Sequence, residues 1–113
     1  MRGLSFIRQL AFCVCFGLLF FSRADGQAGA IADCNQSANS DKQISGCTQL
    51  LKSRHLGRKE LALVYNHRAM AYYRKKQFKR AISDFTKAVR LRPRDLIVRL
   101  NRGVVFERMG QYG

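Results

Sequence analysis

Four stretches of the chain repeat apolar residues every third or fourth position, the spacing of one helix face. In the first, Ile44, Cys47, Leu50 and Leu51 share a face behind a polar cluster. Ser40 or Asp41 is placed there to cap a helix that ends near Ser53. Gly57 then breaks the pattern. In the second stretch Leu61, Val64, Tyr65, Ala69, Tyr72 and Tyr73 predict a helix over 58–75. The polar turn "KKQF" separates it from a third stretch over 78–91, with Ala81, Ile82, Phe85, Ala88, Val89 and Leu91 as its apolar face. Pro93 stands where a stop is expected, and Asp95 is placed to cap a fourth helix over 96–109 that Gly110 ends. No segment alternates with period two for long enough to predict a strand. The pattern is all-α.

The fourth stretch is a second copy of the second. "NRGVVFERMGQY", Asn101 to Tyr112, shifted back by 34 positions, falls on "HRAMAYYRKKQF", His67 to Phe78. Arg102 meets Arg68, Gly103 meets Ala69, and Phe106 meets Tyr72. A 34-residue period of helix–turn–helix resembles the tetratricopeptide repeat. Residues 62–95 carry that repeat's spaced positions: Tyr65 for the large aromatic, Arg68 for an apolar residue, Ala69 for Gly, Tyr72, then Ala81, Phe85, Ala88 and Pro93. The small residues allow two antiparallel helices to approach closely, and the aromatic residues fill the wedge between them. The resemblance implies a short α-solenoid. A degenerate half repeat lies within 31–57, a full repeat at 62–95, and a truncated repeat at 96–113, the last two making up a repeat region over 58–113. "MGQYG" is then the turn toward a second helix of the last repeat. The final helix carries more apolar surface than one neighbour covers, so the expectation is a truncated piece of a longer array, with self-association through that face as the alternative.

Ahead of this lies a different kind of segment. Arg2 and Arg8 precede an uncharged apolar run over 10–21, and a polar stretch with small residues follows. That order is the pattern of a secretory signal over 1–30. The apolar run is shorter than the ~20 residues of a membrane span. Ala28 and Ala30 form one cleavage pattern and Ser22 and Ala24 another. An uncleaved N-terminal anchor is the alternative. The expectation is an exported chain, periplasmic or secreted, and membrane-anchored if the signal is retained. The signal, the spacing "DC…D…I..C…LL" and "YN.R" together resemble exported tetratricopeptide proteins of alphaproteobacteria.

Export changes the reading of the cysteines. Cys13 and Cys15 fall in the signal, which leaves Cys34 and Cys47. An even pair in an exported chain predicts a disulfide pinning an N-terminal tail to the first helix. The alternative is that Cys47 is a small buried hydrophobe. His55 and His67 with these cysteines match none of the compact zinc spacings, so no metal is expected. No catalytic motif or phosphate-cradling glycine loop is present, and neither an enzyme nor a cofactor is expected.

The chain has 21 Lys and Arg against 7 Asp and Glu, a formal net charge of +14. Only Arg2, Arg8, Arg23 and Asp25 fall in the first thirty positions, so the positive charge belongs to the repeat region and its flank. The run "RKKQFKRA" and the arginines beyond it spread over both helices without aromatic interleaving on one face. No specific nucleic acid is expected; an acidic partner or weak contact with an anionic membrane fits better. The family resemblance implies a concave groove lined by the first helix of each repeat. Here that row is Leu63, Asn66, Met70, Tyr73 and Arg74, continued by Ile97, Leu100, Val104, Glu107 and Arg108. Amide and guanidinium groups beside apolar ones suit an extended protein or peptide partner. The alternative is that these residues face solvent or cover a neighbouring helix.

Overall fold

The computed structural model describes residues 26–53 and 55–112. Residues 1–25, most of the segment expected over 1–30 as a secretory signal, lie outside them. The described residues form five helices and no strand: α1 over 26–35, α2 Ser40–Lys52, α3 Arg58–Arg74, α4 Phe78–Leu91 and α5 Leu96–Tyr112. None is long and apolar enough to cross a membrane.

The helix ends follow local chemistry. α2 is capped by Asn39 rather than by Ser40 or Asp41. Asn39 is extended and its Oδ1 accepts from the Lys42 amide at 3.0 Å. Ser40 and Asp41 are engaged elsewhere, taking hydrogen bonds from Arg74 and Lys75 at the far end of α3. Between α3 and α4 the chain reverses through Lys76, the one described non-glycine residue with positive φ, at 57°. The amides of Lys76 and Gln77 donate to the carbonyls of Tyr73 and Tyr72, which closes the last turn of α3. Tyr73 and Phe78 meet across this turn with ring centroids 5.9 Å apart. Asp95 caps α5 as expected, accepting from the Val98 amide at 3.3 Å.

α5 corrects the expected turn at "MGQYG". It runs through Gly110 and Gln111 to Tyr112 instead of ending at Met109. Gly110 corresponds to Lys76 under the 34-residue shift, yet no described glycine has positive φ. The left-handed turn at Lys76 is held by α4 folding back on α3.

Two cores hold the helices. One contains Ala69, Ala81, Phe85, Ala88, Val98 and Val105, joining α3, α4 and α5. Phe85 is fully buried there, a burial of about 1.5–3 kcal/mol for such a side chain. Alanines at 69, 81 and 88 let the helix axes close around it. The other core contains Ala30, Cys34, Cys47, Leu50 and Val64, joining α1, α2 and α3.

The second core corrects the reading of the N-terminal region. The segment expected as a tail is the helix α1, and it crosses the boundary drawn at residue 30. Ala30 is buried. α1 and α2 are a helical pair, not one degenerate helix. A 38-residue shift maps Cys34 and Cys47 onto Tyr72 and Phe85, so the sulfurs stand where the next pair has its aromatic wedge. Those sulfurs lie 2.08 Å apart, at disulfide bonding distance, with Cα atoms 4.6 Å apart. Backbones this close leave no room at Gly46, where an added Cβ would lie 2.6 Å from Asp33 Cβ and 2.7 Å from the Ala30 carbonyl oxygen. Gly46→Ala is therefore expected to push α1 away and lower stability by about 1–3 kcal/mol. Thermal melts with amide exchange over 26–35 measure it; an unchanged melt would mean that α1 does not rest on α2.

Candidate functional site

Arg68 occupies the position where the repeat pattern has an apolar residue, and its surroundings account for the charge. Arg68 Nε donates to Asp84 Oδ2 at 2.7 Å and Nη2 to Oδ1 at 3.0 Å, a two-pronged pair between α3 and α4. Nη1 donates to Thr48 Oγ1 on α2 at 3.1 Å. The guanidinium carbon lies 5.8 Å from the ring centroids of both Tyr65 and Tyr72. Each ring meets a second cation, with Lys87 Nζ 5.2 Å from the Tyr65 centroid and the Arg80 guanidinium 5.7 Å from that of Tyr72. Cations and rings alternate along the hairpin. The Asp84 side chain is only 3 % exposed, and its hydrogen bonds raise the Arg68 pKa further above its ordinary value despite burial.

The residues expected to line a groove lie on α3 and α5. Of those expected on α3, Leu63 is exposed, while Met70 and Tyr73 are half-buried against the α3–α5 core. Arg74 is not free: Nε donates to Ser40 Oγ at 3.2 Å and Nη2 to Gln43 Oε1, tying α3 to α2. Gln43, buried, passes the bond onward by donating to the Cys34 carbonyl at 2.9 Å. Asn66 Oδ1 is buried and without a hydrogen-bond partner. On α5, Ile97 and Leu100 are each 69 % exposed and Val104 46 %. Glu107 and Arg108 are exposed beside them, Arg108 reaching only Gln111 at 3.4 Å. Leu63, Asn66 and Met70 recur as Ile97, Leu100 and Val104 under the 34-residue shift. A separate cleft of ≈ 470 Å³ lies between α2, α3 and α4, lined among others by Asp41, Thr48, Lys52, Tyr72 and Arg80.

The repeat's helical pair, its wedge and its 34-residue return are thus in place. Residues 56–95 match the family model described as Tetratricopeptide repeat. This segment is similar to a tetratricopeptide repeat. The all-helical array around it is consistent with a short solenoid of that type. No curated protein and no solved structure matches the chain.

Asp84 does not stand out in the sequence, although a signal for it is there. An arginine at an apolar repeat position needs a counter-charge, and Asp84 is the one acidic residue of α4. No group of three or more metal-ligating side chains occurs among the described residues.

Asp84→Ala leaves the half-buried Arg68 without its counter-charge and is expected to cost about 1–3 kcal/mol in denaturant melts. Adding Arg68→Leu, the apolar choice at this position, is expected to recover most of that. Equal melts for the single and double variants would show that the pair does not couple α3 to α4. His67 supplies a pH dependence. Burial lowers its pKa below the ordinary 6.5 in the folded chain. The unfolded chain then takes up a proton first as pH falls, so stability drops from about pH 6.5 down to the lowered folded value and levels below it. A His67→Gln melt series is expected to lack this slope.

Proposed function

We propose that the chain is a non-enzymatic protein-interaction module of the bacterial cell envelope that binds a peptide or acidic partner along the row shared by α3 and α5. The observation that carries this reading is the exposed apolar row Leu63, Ile97, Leu100 and Val104, in register across two repeats. The surrounding basic surface, from a chain of net charge +14, favours a partner with carboxylates.

Export rests on the three-part N-terminal pattern, and the closely placed Cys34 and Cys47 suit an oxidising compartment. Of the two cleavage patterns, the one ending at Ala24 leaves α1 whole. Cleavage after Ala30 removes half of that helix and a buried core residue. The second reading, adsorption of the basic surface to anionic membrane, draws on the many exposed Lys and Arg side chains.

A photo-crosslinker at Leu100, used in envelope extract, separates the two. A groove partner is expected to crosslink in wild type, to disappear with Leu63→Asp plus Ile97→Asp, and to weaken only modestly with salt. Adsorption to anionic vesicles is expected to ignore those two changes and to collapse by several decades between about 50 and 200 mM salt. Crosslinking that persists unchanged in the double variant would remove the groove reading.

A further inference from the structure

The cleft between α2, α3 and α4 shares no residue with the groove row, and its chemistry is one-sided. Asp41, Ser45, Thr48 and Lys52 fall three and four positions apart, so a single stripe of α2 forms one wall. Cys47 and Leu50, on another stripe, pack toward α1 and α3 instead. The first turn of α4 contributes Arg80, with Gln77 just before it, and α3 contributes Tyr72.

The polar groups here are mostly donors that lack acceptors. Thr48 Oγ1 accepts from Arg68 at 3.1 Å, which leaves its own O–H to donate. Ser45 is exposed on the cleft, and its hydroxyl has no hydrogen-bond partner among the described residues. Arg80 is steadied by Gln77 Oε1 at 3.3 Å and by the Tyr72 ring, whose centroid is 5.7 Å away. Most of its five N–H groups remain unused. Among the described residues neither Lys52 nor Arg80 has an ion-pair partner. The one carboxylate, Asp41, is already paired with Lys75. Lys52, Lys75 and Arg80 against Asp41 leave an excess of two positive charges in the cleft.

We propose that this cleft binds a phosphate monoester carried on a small hydroxylated group. Such an ester bears a charge of about −1.5 to −2 at neutral pH and three strong acceptor oxygens. It matches both the charge excess and the unused donors. The guanidinium of Arg80 approaches from α4 and the hydroxyls of Ser45 and Thr48 from α2, so the donors converge from two walls. A carboxylate brings one charge and a planar pair of oxygens, which satisfies fewer of them. The cleft volume of ≈ 470 Å³ exceeds what a bare phosphate fills and falls in the range of about 300–1,000 Å³ of small-molecule sites. Gln49 and Gln77, whose amides both donate and accept, line the same cleft and suit the hydroxyls of the carrier. The proposal does not rest on the groove reading.

The test titrates the full chain with glucose 6-phosphate by calorimetry in about 0.15 M salt, where charges beyond about 8 Å are largely screened. Binding is expected, with glucose inert and glucuronate, the carboxylate analogue, at least about tenfold weaker. Arg80→Gln is expected to weaken binding at least about tenfold, and Ser45→Trp, which fills the cleft, to abolish it. Arg99→Gln, the same charge change on α5, and Leu63→Asp plus Ile97→Asp in the groove are expected to leave it unchanged. Circular dichroism checks that each variant is folded; Lys52→Gln replaces Arg80→Gln if that variant is not. Vesicles containing phosphatidic acid, a monoester, are compared with vesicles containing phosphatidylglycerol, a diester. A preference for phosphatidic acid that Ser45→Trp removes supports the proposal with a lipid headgroup as the source, and binding of glucose 6-phosphate supports it with a soluble one. Absence of both overturns it. Equal losses through Arg80→Gln and Arg99→Gln mean diffuse attraction to the charge of the chain and overturn it, as does glucuronate that binds as tightly as the phosphate. Binding that survives Ser45→Trp, or that Leu63→Asp plus Ile97→Asp removes, lies outside the cleft and also overturns it.

Discussion

The arrangement of α2, α3 and α4 turns on one guanidinium. Arg68 is held by two oxygens of Asp84, by the hydroxyl of Thr48 and by the faces of two tyrosine rings, so a single side chain contacts three helices. Burying a charge pair brings no automatic gain, because both ions give up water. Here the geometry recovers that loss through a planar fork matched to a carboxylate, with two aromatic rings beside it. What the pair adds beyond energy is register. Apolar residues tolerate a helix sliding by part of a turn; a two-pronged ion pair at 2.7 and 3.0 Å does not.

Around that fixed point, weaker contacts set the ends of the helices. Arg74 and Lys75 tie the end of α3 to the start of α2, and Arg58 Nε donates to the Leu91 carbonyl at 2.9 Å where α3 begins and α4 ends. Each is a long cationic side chain reaching across a helix boundary. Part of the basic character of the chain is therefore structural, directed at carbonyls, hydroxyls and the few available carboxylates. On α5, by contrast, Arg99 and Arg102 have no ion-pair partner among the described residues.

The sequence showed α3 and α4 almost to the residue, because Ala69, Ala81, Phe85 and Ala88 combine helical spacing with a size pattern that few arrangements satisfy. Asp95 and Gly57 were legible as helix boundaries for the same local reason. α1 was not, since its small, mixed residues carry no apolar stripe; what makes it a helix partner is the bare backbone of Gly46 opposite it. The end of α5 was not legible either, because turn residues such as Gly110 permit a reversal without enforcing it. Among the groove residues, the register of Leu63, Ile97, Leu100 and Val104 followed from the 34-residue repeat. That Arg74 is spoken for by Ser40 and Gln43 did not, since both lie on a helix more than thirty positions away.

The correspondence of Cys34 and Cys47 with Tyr72 and Phe85 gives the two hairpins different kinds of memory. In the α3–α4 pair the contact between helices lasts only while water is kept out and the side chains stay packed. In the α1–α2 pair, once the sulfurs are joined, the pairing of the two helices survives melting, because the partners cannot diffuse apart. After a thermal excursion the first hairpin restarts from its own native neighbour, whereas the second must find its neighbour again. α3 meets that N-terminal pair through Val64, Arg68 and Arg74.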